Sequence, residues 1–389
     1  MRTTIFQLFA LLFICSSTIN GQEIREFEHK INSTVYDQER TVLVYVPERY
    51  LENPEQEFAV TYILDSQLDQ FWNMAKDNID YLVYQSQILP MITVGIVSES
   101  RGFDFNPNNE ELSQHFEQEV FPLIAKNYRV NDFRIVVGHS WGGAYIGNTV
   151  FGKYSYLFNA YIGISPSFDA IDGVIFRQAD SLLSKQIAIK KYLYASSGDF
   201  GYREDESYQG LLQMDSIIKK YPNNTLGWKY EVIKDTGHWT CVIPSLNNGL
   251  VAVSRNYMAD KKVMENMAAN TAATLTSQLE DFTTNTQLNF GFTQQVSFGY
   301  LRHVADDFRE QGNLKAATEL YQYAIAQGNE DVVCYFNLAD AYAKQGYKAK
   351  AKAGFQKALV KLEEQKQDRS ERFYTNLKAA ILEAIEENN

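Results

Sequence analysis

The sequence predicts an α/β domain, a mostly parallel sheet with helices on both faces, followed by a small all-α region. Three observations carry this expectation. Short β-branched and apolar runs alternate with stretches of helical spacing between residues 39 and 257, the pattern of parallel strands joined by crossover helices. One such run, Arg134–Val137, ends in Gly138-His139-Ser140-Trp141-Gly142-Gly143. Beyond residue 300, small and aromatic residues recur at an offset of 34 residues.

The elements follow in chain order. Residues 1–21 read as a signal peptide: Arg2 supplies the positive end and Ile5–Cys15 the apolar run, too short to span a bilayer. The reading is a secreted or periplasmic protein. Lipoprotein anchoring is disfavoured because Ile14, not a small residue, precedes Cys15. A strand over residues 39–50 closes at Pro47. Phe58–Leu64 is apolar throughout, as in a central strand buried on both faces. Residues 88–97 give another strand. Residues 110–128 have helical spacing, with Pro122 marking a kink or break. Strands at 160–165, 191–196 and 228–233 follow, with a helix over 211–220.

Gly-x-Ser-x-Gly between a strand and a helix is the nucleophile-elbow pattern. Gly138 and Gly142 are expected where the turn crowds the backbone, and Ser140 is expected at the strand's C-terminal edge. Asp65, Asp199 and His238 also follow predicted strands, where sheets of this class place their sites. The order serine, acid, histidine is that of α/β-hydrolases. His238 is the expected base, since it alone among the histidines follows a late strand in a glycine-containing loop. Asp199, nearest the strand end, is the first choice of acid. Glu204, Asp205 and Glu206 remain open, as does a Ser140–His238 dyad. The expected oxyanion donors are the backbone amides of Trp141 and Gln67.

Residues 39–257 resemble the putative-esterase family of α/β-hydrolases, which includes esterase D, enterochelin-esterase-like hydrolases and mycolyltransferases. The matching pieces are Tyr62–Asp65, Arg101-Gly102-Phe103-Asp104-Phe105-Asn106-Pro107, Phe116–Pro122, Gly138–Gly143, Phe158–Pro166 and Gly237-His238. The chain departs from the family in having Asp65-Ser66 where Asp-Gly is common, and Gly201 where the acid often falls. The resemblance implies an α/β-hydrolase sheet and a serine carboxylic-ester hydrolase. It implies that Gln67 supplies the second oxyanion amide and that Asp65 lines the substrate pocket.

The 34-residue offset pairs Ala305 with Ala339, Gly312 with Gly346, Ala317 with Ala351 and Tyr321 with Phe355, which resembles tetratricopeptide repeats. The expected division is residues 22–257 for the esterase domain, 258–300 for a helical linker, and 301–389 for repeats with a capping helix.

Composition narrows the classes further. The chain has 389 residues and a net charge of −12, which argues against nucleic acid and anionic membrane surfaces as partners. Its histidines are too scattered for a metal cluster, so no metal or cofactor is expected. The expected substrate is a small-molecule or carbohydrate-linked ester, and the repeats suggest a protein partner or self-association. Two rival readings share these features: an acyltransferase using the same residues, and a catalytically silent scaffold centred on the repeats.

Overall fold

The structure is a computed structural model. It describes residues 25–388 apart from 53, 55, 223–224, 291–295 and 297, and also residues 18–19 and 22–23. The expected leader, residues 1–21, lies outside the described residues except for Thr18–Ile19, which pairs antiparallel with Gln22–Glu23.

Eight strands form the sheet: β1 (Glu26–Ser33), β2 (Gln38–Tyr45), β3 (Phe58–Ile63), β4 (Met91–Ile96), β5 (Val130–His139), β6 (Ala160–Ile164), β7 (Tyr192–Gly198) and β8 (Gly227–Ile233). Their spatial order is β1-β2-β4-β3-β5-β6-β7-β8. Only β2 runs antiparallel to both its neighbours; β3 to β8 are parallel. The central strands β3 and β4 are buried along their whole length, as uninterrupted apolar runs require. Alternate residues of β3 serve opposite faces: Phe58, Val60 and Tyr62 join one apolar cluster, Ala59 and Ile63 the other.

Helices α1 (Asp69–Tyr84), α3 (Trp141–Phe151), α4 (Ala170–Leu183), α5 (Tyr202–Lys220) and α6 (Val242–Tyr257) cover the sheet, with α2 over residues 111–127. Phe71 and Ile79 of α1 and Leu246 and Leu250 of α6 pack on one face. Phe116 of α2, Ile146 of α3, Ile175 of α4 and Leu211 of α5 pack on the other. Pro122 does not break α2. Residues Phe116–Val120 instead widen into a π-helical turn just before it. Proline lacks an N–H and crowds the carbonyl of residue i−4, and a π-turn accommodates both defects.

The C-terminal region is all helical: α7 (Lys261–Ala269), α8 (Leu275–Phe290), α9 (Phe298–Glu310), α10 (Leu314–Ala326), α11 (Val332–Lys344), α12 (Lys348–Glu364) and α13 (Glu371–Glu387). Helices α9 and α11 begin 34 residues apart, as do α10 and α12. Gly312 and Gly346, both at φ 80°, turn the chain inside each pair. The stretch expected as a linker is more than a connection. Met264 of α7 and Leu275 and Leu279 of α8 share one apolar cluster with Leu301, Val304, Phe308 and Tyr321. Tyr257 and Met258 belong to the core of the sheet domain, and Ala259 to the helical cluster. The change of core therefore falls between residues 258 and 259.

Candidate active site

Ser140 stands between β5 and α3 with φ 56° and ψ −113°, a backbone conformation that a residue with a side chain adopts only under strain. The strain is held from both sides. The Ser140 amide donates to the Ile164 carbonyl at 2.9 Å, and the Ser140 carbonyl accepts from Gly143 at 2.9 Å and Ser167 at 3.1 Å. A Cβ on Gly138 would run into the Gly142 carbonyl, and one on Gly143 would lie 2.5 Å from Pro166. Gly142 is different from the expectation: a Cβ there would meet Asp65 at an ordinary 3.5 Å. The crowded glycines of the elbow are thus Gly138 and Gly143.

His238 lies in the loop after β8. Its Nδ1–H donates to Glu204 Oε1 at 2.6 Å, so its lone pair is left on Nε2. That Nε2 is buried and has no hydrogen-bond partner among the described residues. Glu204 is 1 % exposed. Its second oxygen accepts from Ser165 Oγ at 2.9 Å and from the Gly198 amide. Burial pushes its carboxyl upward, but the His238, Gly198 and Ser165 hydrogen bonds outweigh this and hold it below the usual carboxylate range.

Asp199, the first choice of acid, is not placed on His238. It is exposed, and its carboxylate accepts from the Thr236 amide at 3.2 Å. The reason is a helix boundary. Helix α5 starts at Tyr202, immediately after Gly201 at φ 96°, so Glu204 and Asp205 lie in its first turn, and Glu206 just beyond it, rather than in a loop. Helical spacing turns Glu204 inward and leaves Asp205 and Glu206 exposed. Asp199 instead ties the two loops together, since its own amide donates to the Thr236 carbonyl at 2.9 Å.

The expected oxyanion donors are unpaired. Among the described residues, neither the Trp141 nor the Gln67 backbone amide donates a hydrogen bond. Trp141 is the first residue of α3, where helix N–H groups have no internal partner and favour negative charge. Gln67 is pinned by its side chain: Oε1 accepts from the Ser98 amide at 2.9 Å and Nε2 donates to Asp65 at 3.0 Å.

Asp65 is 2 % exposed and takes φ 64°. Its carboxylate is engaged by Arg101, whose Nε donates to one oxygen and whose terminal nitrogen donates to the other at 2.9 Å. Asp65, expected to line the pocket, is thus covered by its Arg101 partner. The exposed group is the Arg101 guanidinium, 38 % accessible, and Asp65 orients it. The loop that carries Arg101 is in turn fixed by the buried pair Arg40–Asp104 at 2.7 Å.

Part of the chain is similar to a known family. Residues 33–146 match the family described as Putative esterase. Over these residues the chain is similar to that family. The match includes the elbow serine and ends within α3; Glu204 and His238 lie beyond it. No curated protein matches the chain. Among solved structures, an IroE-like serine hydrolase from Shewanella oneidensis is similar at 18% identity and a TM-score of 0.61, covering 78% of this chain and 100% of its own. An uncharacterised protein from Capnocytophaga ochracea is similar at 16% identity and a TM-score of 0.65, covering 86% of this chain and 94% of its own. A siderophore hydrolase, EstB, from Aspergillus nidulans is similar at 15% identity and a TM-score of 0.52, covering 66% of this chain and 99% of its own. At these identities the likeness is one of fold.

No helix among the described residues is long and apolar enough to cross a membrane. None of their His, Cys, Asp and Glu side chains form a group of three or more able to hold a metal ion. Cys241 and Cys334 are free, buried thiols.

Proposed function

We propose that the chain is a serine carboxylic-ester hydrolase in which Ser140, His238 and Glu204 act together. One observation carries the reading: a histidine anchored through Nδ1 to a buried carboxylate keeps a buried, unpartnered Nε2, in a domain whose elbow serine is held in a strained turn. The similarity of residues 33–146 to the Putative esterase family supports the esterase class.

In this reading Ser140 Oγ attacks the ester carbonyl while His238 Nε2 takes its proton. The new C–O bond places negative charge on the former carbonyl oxygen, which the Trp141 and Gln67 amides stabilise. Collapse expels the alcohol, and His238 returns the proton to it. Water then attacks the acyl-enzyme, with His238 again as base, and the acid and free Ser140 result. Glu204 holds the imidazole in the tautomer that can accept at Nε2 and stabilises the imidazolium formed on the way. Arg101, fixed by Asp65, is the polar group offered to the substrate. The substrate is a small-molecule or carbohydrate-linked ester. Export by the leader over residues 1–21 and a partner-binding role for the repeat-like helices complete the proposal.

The test is hydrolysis of an activated short-chain ester by the wild type and by Ser140→Ala. Retention by the variant of more than about a hundredth of the wild-type rate would refute Ser140 as nucleophile, because loss of such a serine costs many powers of ten. A fluorophosphonate probe should label the wild type alone.

A further inference from the structure

His139, the residue before the elbow serine, has no part in the reaction as written, yet its side chain is 2 % exposed and packed among the site's loops. Its Nε2–H donates to the backbone carbonyl of His238 at 2.9 Å. Its ring lies 4.5 Å from the His238 ring and 4.8 Å from the Trp239 ring, centroid to centroid. On the other side it stacks on Phe71 of α1 at 6.3 Å. A strand residue thus braces both the backbone and the ring of the loop histidine from beneath.

We infer that His139 is a positioning residue for His238, fixing where His238 Nε2 sits relative to Ser140. The inference rests on the proposed serine-hydrolase reading of the site. The physical case has two parts. His238 sits on a loop, and its Glu204 bond fixes Nδ1 but leaves the ring free to pivot about that contact. The bond from His139 to the His238 carbonyl fixes the loop backbone, and the ring contact limits the pivot. Because His139 ends β5 and Ser140 follows it directly, the brace references the base to the strand that leads into the nucleophile. Burial, the largest cause, with the neighbouring His238 holds the His139 imidazole down to about 4. It is therefore neutral at working pH and adds no positive charge beneath a base that must become imidazolium.

Three variants, His139→Ala, His139→Gln and His139→Phe, separate the parts. The Gln amide nitrogen can reach the His238 carbonyl from the same position as Nε2, whereas Phe keeps a ring and loses the donor. A misplacement near 1 Å costs about 10²-fold in rate. The expected result for His139→Ala is a kcat lower by about 10- to 100-fold with KM nearly unchanged. His139→Gln should recover most of kcat, and His139→Phe should not. Thermal melts run in parallel identify any variant that is merely unfolded, and the Gln and Phe variants keep the comparison open if Ala does not fold.

A purely structural role would lower melting temperature while leaving kcat per folded molecule within about twofold in all three variants. That result would overturn the inference. Ser140→Ala and His238→Ala are assayed alongside. If both are inactive while the His139 variants keep full kcat, the positioning role is wrong and the serine-hydrolase reading stands. If Ser140→Ala retains activity, that reading fails first.

Discussion

The sheet domain and the helical region are built to opposite rules of backbone strain. Among the described residues, every non-glycine residue at positive φ precedes residue 258: Asp65, Ser140, Ser165 and Asp235 are the ones at strand ends near the site. In the helical region the positive-φ positions are Gly312, Gly328 and Gly346, where a left-handed turn costs a glycine little. Local preference and global fold therefore agree throughout the second region and conflict at the strand ends of the first. Such conflicts are expected where a structure serves chemistry rather than stability. The difference teaches where to look for function. The strained residues mark the elbow, the Asp65 turn that orients Arg101, and the Ser165 turn that supports Glu204.

The sharpest break of this comparison is a matched pair of glycine substitutions. Gly138→Ala places a methyl group against the Gly142 carbonyl, a backbone group that cannot swing away, with the Ile146 side chain 3.0 Å off. Ester hydrolysis should fall by more than about 10²-fold, as a displaced nucleophile would require. Gly346→Ala meets open space, so only the left-handed backbone is penalised. That cost is about 1–2 kcal/mol, read as a modest drop in melting temperature with kcat unchanged.

The next contrast concerns charge. Asp104→Ala removes the partner of Arg40, which is itself 2 % exposed. A buried charge left alone costs about 3–5 kcal/mol, so denaturant unfolding should show a loss of that order. Lys344→Ala, in the helical region, removes a half-exposed partner of Asp340. It should cost less than about 1 kcal/mol, and a larger loss would mean that the surface charges of the helical region do more than solvate it.

The boundary between the regions gives a third test. Ending the chain at residue 300 divides the apolar cluster that joins Met264 and Leu279 to Leu301 and Phe308. Ending it at residue 258 leaves that cluster out whole. The shorter chain should stay soluble in higher yield than the longer one, although it carries less of the protein. The opposite order in a solubility assay would place the boundary near 300.

Much of the fold was legible because parallel strands buried on both faces leave continuous apolar runs. Phe58–Leu64 and the strand before Ser140 are examples, and the structure places them side by side. The hairpin strand β1 was not read, since its half-exposed alternation is interrupted by charge. In the site, Ser140 and His238 could be named from their place after strands. Glu204 was left among four acids because α5 was expected to begin at Leu211. The signal was present: Glu204, Ser207, Leu211, Met214 and Ile218 are buried at helical spacing. Extending that face backwards from Leu211 reaches Glu204 and passes over its acidic neighbours. His139 and Arg101 were beyond sequence reasoning, because each acts through a contact between residues distant in the chain.

The central claim is that the buried carboxylate of Glu204, and no other acid, orients His238. Its most direct test is the pair Glu204→Gln and Asp199→Asn, assayed for kcat on one activated ester with melting temperatures measured in parallel. A side-chain amide on Nδ1 imposes the wrong tautomer, so Glu204→Gln should stay folded and lose about 10³–10⁴-fold in kcat. Asp199→Asn should remain within about tenfold, roughly 1.4 kcal/mol in barrier. A Glu204→Gln enzyme within tenfold of wild type, or an Asp199→Asn enzyme reduced a thousandfold, would contradict the account.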